Sequence, residues 1–355
     1  MNRTINFASG LIILWITGYL LIAGSNLIIP FIIALFVWNL LNTANNAIQR
    51  LPWIGTIIPQ WLSMIISLGL FVIFVQILIN IIANNVNEVI AASSRYQENF
   101  MKIIAHVDNS FQLELIDKVK TFVQNLSFQR VLVNIAGMFT SITSSAVLIA
   151  LYVVFLFIEQ HFFQRKIKAI FAQPKSQQLV HNIFEHIARD TQTYIGLKTF
   201  VSLATAFFSY LIMKGVGLDF AEFWALLIFF LNFIPNIGAI IATVFPAALA
   251  LIQFSTWSPF IILTSGIIFL QFFIGNIIEP KLMGRSLNLS PLVILLALGV
   301  WGSIWGILGM FLSVPITVIL MIIFAHFEST KPIAILLSQD GCIQRANEQL
   351  ESKKQ

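Results

Sequence analysis

The residues with the most to offer chemically lie at Asn276 to Gly284, which reads Asn-Ile-Ile-Glu-Pro-Lys-Leu-Met-Gly at the end of a long apolar run. A charge inside a bilayer costs about 2.5 to 3.5 kcal/mol on insertion scales, so such groups face protein, a cavity or water. Glu279 and Lys281 are two apart and do not share a helix face. Pro280 between them is expected to break the helix, freeing carbonyls to bind a cation or a polar solute. Glu279 is the leading candidate for a proton or cation site; the competing reading is an interfacial loop whose charges are solvated. A second block, Asn232 to Gly238, reads Asn-Phe-Ile-Pro-Asn-Ile-Gly inside another apolar run, where an unpaired amide is costly. Asn232 and Asn236 would line one face if the helix persisted through Pro235; the plainer alternative is a hydrogen bond between neighbouring helices. The candidate transport-pathway residues are therefore Asn232, Pro235, Asn236, Gly238, Asn276, Glu279, Pro280, Lys281 and Gly284.

Other chemistries find little support. His181, Glu185 and His186 miss the His-Glu-x-x-His zinc spacing, and no phosphate loop or Gly-x-Ser-x-Gly elbow occurs. Asp219 and Glu222 flank a loop and read as solvated. Cys342 is the single cysteine, which excludes an intrachain disulfide. The expectation is a non-enzyme with no cofactor and no metal site. The net charge of +5 resides in loops beside apolar runs rather than in a basic recognition surface, so nucleic acid is not an expected partner.

The elements that must position these residues follow from composition. Hydrophobic residues make up 58% of the chain and charged residues 10%, and the mean hydropathy is +0.89; an aqueous fold has no means to bury so much apolar surface. The lipid bilayer is the expected solvent. Leu11 to Val37 and Leu289 to Phe324 are almost continuously apolar rather than alternating, so the spans are helices and not barrel strands. The predicted fold is all-α and polytopic, with about eight transmembrane helices. Residues 1–83 hold three of them, the first two hinged near Gly24, Asn26 and Pro30, with an uncleaved first span. Residues 84–137 form a small soluble helical insertion in which Leu115, Val119, Phe122, Val123 and Leu126 recur at helical spacing. Residues 138–160 are the fourth span and 161–195 a basic amphipathic segment. Residues 196–326 form the transport core, and 327–355 a polar tail. Basic residues, among them Arg165, Lys166, Lys168 and Lys175, place 161–195 in the cytoplasm, together with both termini; the insertion is then extracytoplasmic.

The transport core contains two long runs with interruptions. Phe220 to Phe254 carries Asn232, Pro235, Asn236 and Gly238, and Leu289 to Phe324 carries Gly299, Gly302, Gly306, Gly309 and Pro315. Paired interrupted segments point to broken or re-entrant helices at a midplane site; close packing through small residues is the alternative. Gly238 to Pro246 and Gly306 to Pro315 share a loose pattern of glycine, apolar run and proline.

These blocks resemble the autoinducer-2 exporter family, the permease-M-like membrane proteins. The likeness rests on Tyr194 to Lys198, on Ile234 to Ala239, on Asn276, Pro280 and Gly284, and on Gly306, Gly309 and Pro315. It covers nearly the whole chain and is tightest from Asp190 to Pro315; Ala239 stands where the family usually has proline. The resemblance implies about eight spans, a soluble insertion after the third, cytoplasmic termini and homo-oligomers. It also implies export of the signal autoinducer-2, hence efflux in quorum sensing, or exchange of sodium or lithium for protons. The expected function is a secondary transporter in the inner, cytoplasmic membrane that exports a small polar solute, coupled to a proton or Na+ through Glu279. Alternatives are a Na+(Li+)/H+ antiporter, and a non-transporting scaffold that binds an envelope partner through 84–137.

Overall fold

The computed structural model describes residues 3–50, 59, 62–81, 96, 98–99, 145–171, 173–254, 256–283 and 288–341. Gly284, residues 138–144, the tail from 342 and all of 84–137 except residues 96, 98 and 99 lie outside the described residues, and with them the helical stripe from Leu115 to Leu126.

The protein is an all-α polytopic membrane protein. In chain order the helices are α1 Arg3–Ala23, α2 Ser25–Arg50, α3 Leu62–Ile81, α4 Ala146–Ile170, α5 Pro174–Val216, α6 Ala221–Leu231, α7 Ile237–Gln253 and α8 Trp257–Phe273. A π-helical turn, Ile274–Ile278, leads into α9 Glu279–Met283, followed by α10 Pro291–Ala325 and α11 Lys331–Leu337. Six helices among the described residues are long and apolar enough to cross a bilayer. Their outer faces show why. Ile65, Leu68, Val72 and Ile73 on α3, Phe200, Leu203, Phe207 and Leu211 on α5, and Ile261, Ile268 and Phe269 on α8 are all exposed, as lipid-facing side chains must be.

The chain divides into two compact units. The first comprises residues 1–60, 147–198 and 283–355. Its core gathers Tyr194 and Ile195 of α5, Leu289, and Val314, Val318 and Ile322 of α10, with Phe36 and Leu40 of α2 packed against them. The Trp305 indole donates to the Leu21 carbonyl at 3.0 Å, and α2 passes so close to α5 that a Cβ on Gly196 would stand 3.0 Å from Thr43 Cγ2.

The second unit comprises residues 61–146 and 199–282. Here Phe74 of α3 meets Phe229 of α6 edge-on at 5.9 Å, and Gly266 of α8 admits Ile212 of α5, whose Cγ2 is 3.3 Å from a Cβ built there.

Both interrupted runs fold back on themselves. In the second unit a Cβ on Gly238 would overlap the Leu231 carbonyl oxygen, while the Trp224 and Phe245 rings stack with centroids 6.2 Å apart. Each step back along α6 is thus matched by a step forward along α7, which defines an antiparallel hairpin. With 11 residues, α6 is about 16 Å long, roughly half of a hydrocarbon core. In the first unit α10 is broken at Gly306, whose φ of 64° and ψ of −142° are non-helical. Gly309 then abuts the Trp301 carbonyl, and a Cβ on Gly302 would stand 2.9 Å from the Met310 methyl. Residues eight apart in an unbroken helix would be about 12 Å apart, so α10 is two antiparallel arms. The interruptions predicted in the C-terminal half are present, and both take the form of hairpins.

Candidate functional site

The turn between α6 and α7 is built by its own sequence. The Asn232 N–H still reaches the Ile228 carbonyl at 3.0 Å, and Phe233 and Ile234 close tighter turns onto Phe230 and Leu231. Pro235 has no N–H and ends the run. The Ile237 N–H then donates to the Pro235 carbonyl at 2.6 Å, with Asn236 at φ 58° and ψ −58°. That is a γ-turn of the uncommon, strained kind, and asparagine is among the few residues that tolerate positive φ. Phe233 and Ile234 are buried, whereas Asn236 is exposed. Asn232 and Asn236 therefore do not share a helix face, because the helix does not persist through Pro235.

Instead Asn232 turns to α5. Its half-buried side-chain amide donates to Ser202 Oγ at 3.1 Å, and Ser202 is fully buried. At the opposite end of the same helix pair, Glu222 Oε1 accepts from Lys214 Nζ at 3.1 Å and from Tyr210 OH at 3.2 Å. Asp219 is tied down as well, its N–H donating to Gln253 Oε1 at 2.8 Å and its Oδ2 accepting from Tyr96 OH at 2.7 Å. The two acids read as solvated are anchors of the α5–α6 turn. The signal that would have shown this is the Tyr210, Lys214 spacing, which puts both donors on one face of α5 beside the turn.

The second block differs from its expected form. The helix runs through Pro280, because the π turn at Ile274–Ile278 precedes it and the Glu279 N–H reaches back five residues to the Ile274 carbonyl. That extra residue moves the preceding turn away from the proline ring, which would otherwise clash with the carbonyl four residues earlier. Asn276 lies within the π turn, exposed, and donates to the Phe272 carbonyl of its own helix at 3.1 Å. Glu279 is half-buried, while Pro280 and Lys281 are exposed. π turns inside α-helices concentrate at functional sites. Asn232 and Asn276 thus spend their amides in different places, one on α5 and one locally. Gly238 supports the first block by letting α7 start against the Leu231 carbonyl.

Sequence reasoning passed over the buried hydroxyls of α5, namely Ser202, Thr205 and Ser209, each with no exposed surface. Their signal is a set of small polar residues at three- and four-residue spacing within an otherwise apolar span.

The profile of the family described as "AI-2E family transporter" matches residues 11–329. Among related chains, the "AI-2 transport protein TqsA" of Escherichia coli (strain K12) is 28% identical over 349 residues, covering 95% of this chain and 98% of that one. The provisionally named transport protein YhhT of the same organism is 27% identical over 324 residues, 89% of each chain. A provisionally named transport protein of Borreliella burgdorferi is 36% identical over 200 residues, 55% of this chain and 54% of its own. With a match that spans nearly all of the helical chain, from α1 to just beyond α10, this protein belongs to the AI-2E family of transporters.

Proposed function

We propose that this membrane permease is a secondary transporter that exports a small polar solute such as autoinducer-2 across the cytoplasmic membrane. The observation that carries the reading is the fold-back of α6 and α7 inside an apolar run, with the half-buried Asn232 amide bonded to the buried Ser202 hydroxyl. A bilayer protein tolerates non-helical backbone at depth only where it is enclosed by protein or lines a polar path. The name of the TqsA relative supplies the solute. In this reading the pathway runs along Asn232 to Gly238 and Asn276 to Gly284. Glu279, half-buried directly after the π turn, exchanges a proton or Na+ to couple the movement. The protein is not an enzyme. It functions as a homo-oligomer with both termini in the cytoplasm and the 84–137 insertion outside.

Liposomes carrying the purified protein, loaded with autoinducer-2 and given a pH gradient, test this directly. Release should require the protein, and Glu279→Gln should reduce gradient-driven release at least tenfold while leaving the folded fraction unchanged. Sodium movement without release would replace export by cation exchange. Gradient-driven release that persists in Glu279→Gln would remove that carboxylate from the mechanism.

A further inference from the structure

Within the second unit, α6 runs back along α5 with its register pinned at both ends. Glu222 meets Tyr210 and Lys214, and ten residues later Asn232 meets Ser202. The stretch of α5 between these pins carries Thr205 and Ser209, and all of Ser202, Thr205 and Ser209 are fully buried. With 100° per residue, Ser209 projects within about 20° of the direction of Ser202 and about 10 Å further along the axis. Ser202 faces the C-terminal end of α6, since its hydroxyl receives the amide of Asn232, the residue that caps α6, and so Ser209 faces α6 too.

A lone hydroxyl in an apolar helix ordinarily satisfies itself on the carbonyl four residues back. Ser67, Thr205, Thr243, Ser265 and Ser303 all do so, at 2.6 to 2.9 Å. Ser209 Oγ does not; it is buried and has no partner, and Thr199 Oγ1, one turn before Ser202, is in the same condition. Two unused hydroxyls thus bracket the Asn232–Ser202 pair on one helix. An unfilled polar group in a buried site is held there at a cost unless something occupies it. The seam between the pins offers hydroxyls and an amide, with neither carboxylate nor cation from Ser202 to Ser209. Such a set suits an uncharged donor and acceptor and lacks what a metal cation needs.

We infer that the α5–α6 seam is a binding site for an uncharged, hydroxyl-bearing solute, with Ser209 Oγ as its open hydrogen-bonding position and the Ser202–Asn232 pair as its second anchor. The inference rests on the permease reading and extends recognition from Asn232, at the start of the first pathway block, onto the buried hydroxyls of α5.

Cys342 is the only cysteine, so Cys342→Ser provides a clean background for Ser209→Cys. The full-length protein in lipid nanodiscs would be treated with a small ammonium-bearing methanethiosulfonate, which reacts with a hydrated thiolate. The control is Leu203→Cys on the exposed, lipid-facing side of α5. Ser209→Cys should be labelled, autoinducer-2 should slow that labelling several-fold, and Leu203→Cys should stay unlabelled. Absence of labelling at Ser209→Cys would make the seam dry packing and overturn the inference. Labelling that neither autoinducer-2 nor glycerol slows would make it a hydrated gap without a site, which also overturns it. In liposomes Ser209→Ala, which preserves packing, should raise the half-saturating concentration for efflux about five- to tenfold with little change in maximal rate; an unchanged half-saturation would overturn the assignment of Ser209. Protected labelling without any wild-type efflux would sink the permease reading and leave the binding site standing.

Discussion

Two hairpins, one in each unit, solve the same problem with different chemistry. The α6–α7 hairpin turns through five residues that include two amides, a proline and a strained γ-turn, and it directs the half-buried Asn232 amide onto Ser202 of α5. The α10 hairpin turns at one glycine, Gly306, directly after an arm that carries Trp301 and Trp305, whose ring centroids lie 5.3 Å apart. Both rely on a glycine pressed against a carbonyl, Gly238 on Leu231 and Gly309 on Trp301. What differs is the residue at the bend. A fold-back therefore does not by itself require polar groups, and where they are present they call for a separate explanation. In the second unit the explanation we propose is a polar path.

The comparison can be broken most severely at its shared element. Gly238→Ala and Gly309→Ala each place a methyl group inside backbone that has no room to move, and each should cost about 3 kcal/mol or more. Thermal unfolding in detergent would show both variants strongly destabilised, and a normal midpoint for either would mean that its arms are not in contact. The bends themselves come next. Gly306 has open space around a Cβ, so Gly306→Ala pays only for torsion, about 1 to 3 kcal/mol. Asn236→Gly should be neutral or stabilising by up to about 1 kcal/mol, since glycine adopts positive φ freely. Midpoints that move in the same direction for the two would erase the distinction. Asn232→Ala removes one hydrogen bond and should cost about 1 kcal/mol. Smallest of all, Lys214→Met breaks an exposed ion pair and should leave the midpoint where it was.

The sequence showed much of this architecture because bilayer chemistry is demanding. Uncharged runs, Gly24 at the α1–α2 junction and the interrupted segments translate directly into elements. Less visible was the severity of the α10 bend, because Gly306 is one of four closely spaced glycines and only a backbone torsion separates a hinge from a packing residue. Pro280 misled for a related reason. A proline rule assumes a regular helix on its N-terminal side, and here a π turn supplies an extra residue. Ser202 and Ser209 went unnoticed because serine in an apolar span ordinarily bonds to its own helix; partnership is a property of the rotamer and of the facing helix, and composition does not encode it. The change from polar to apolar composition near residue 196 leaves no mark on the backbone, which continues as one helix through α5.

In the proposed mechanism the α6–α7 hairpin is the polar path and the α10 hairpin is scaffold. The most direct measurement is autoinducer-2 efflux from liposomes for Asn232→Ala beside Ser303→Ala, a polar deletion in the α10 hairpin whose hydroxyl serves only its own helix. Asn232→Ala should lose about tenfold in efflux at a subsaturating solute concentration while Ser303→Ala matches the wild type. Equal efflux from the two variants, or no efflux from the wild type, would contradict the mechanism.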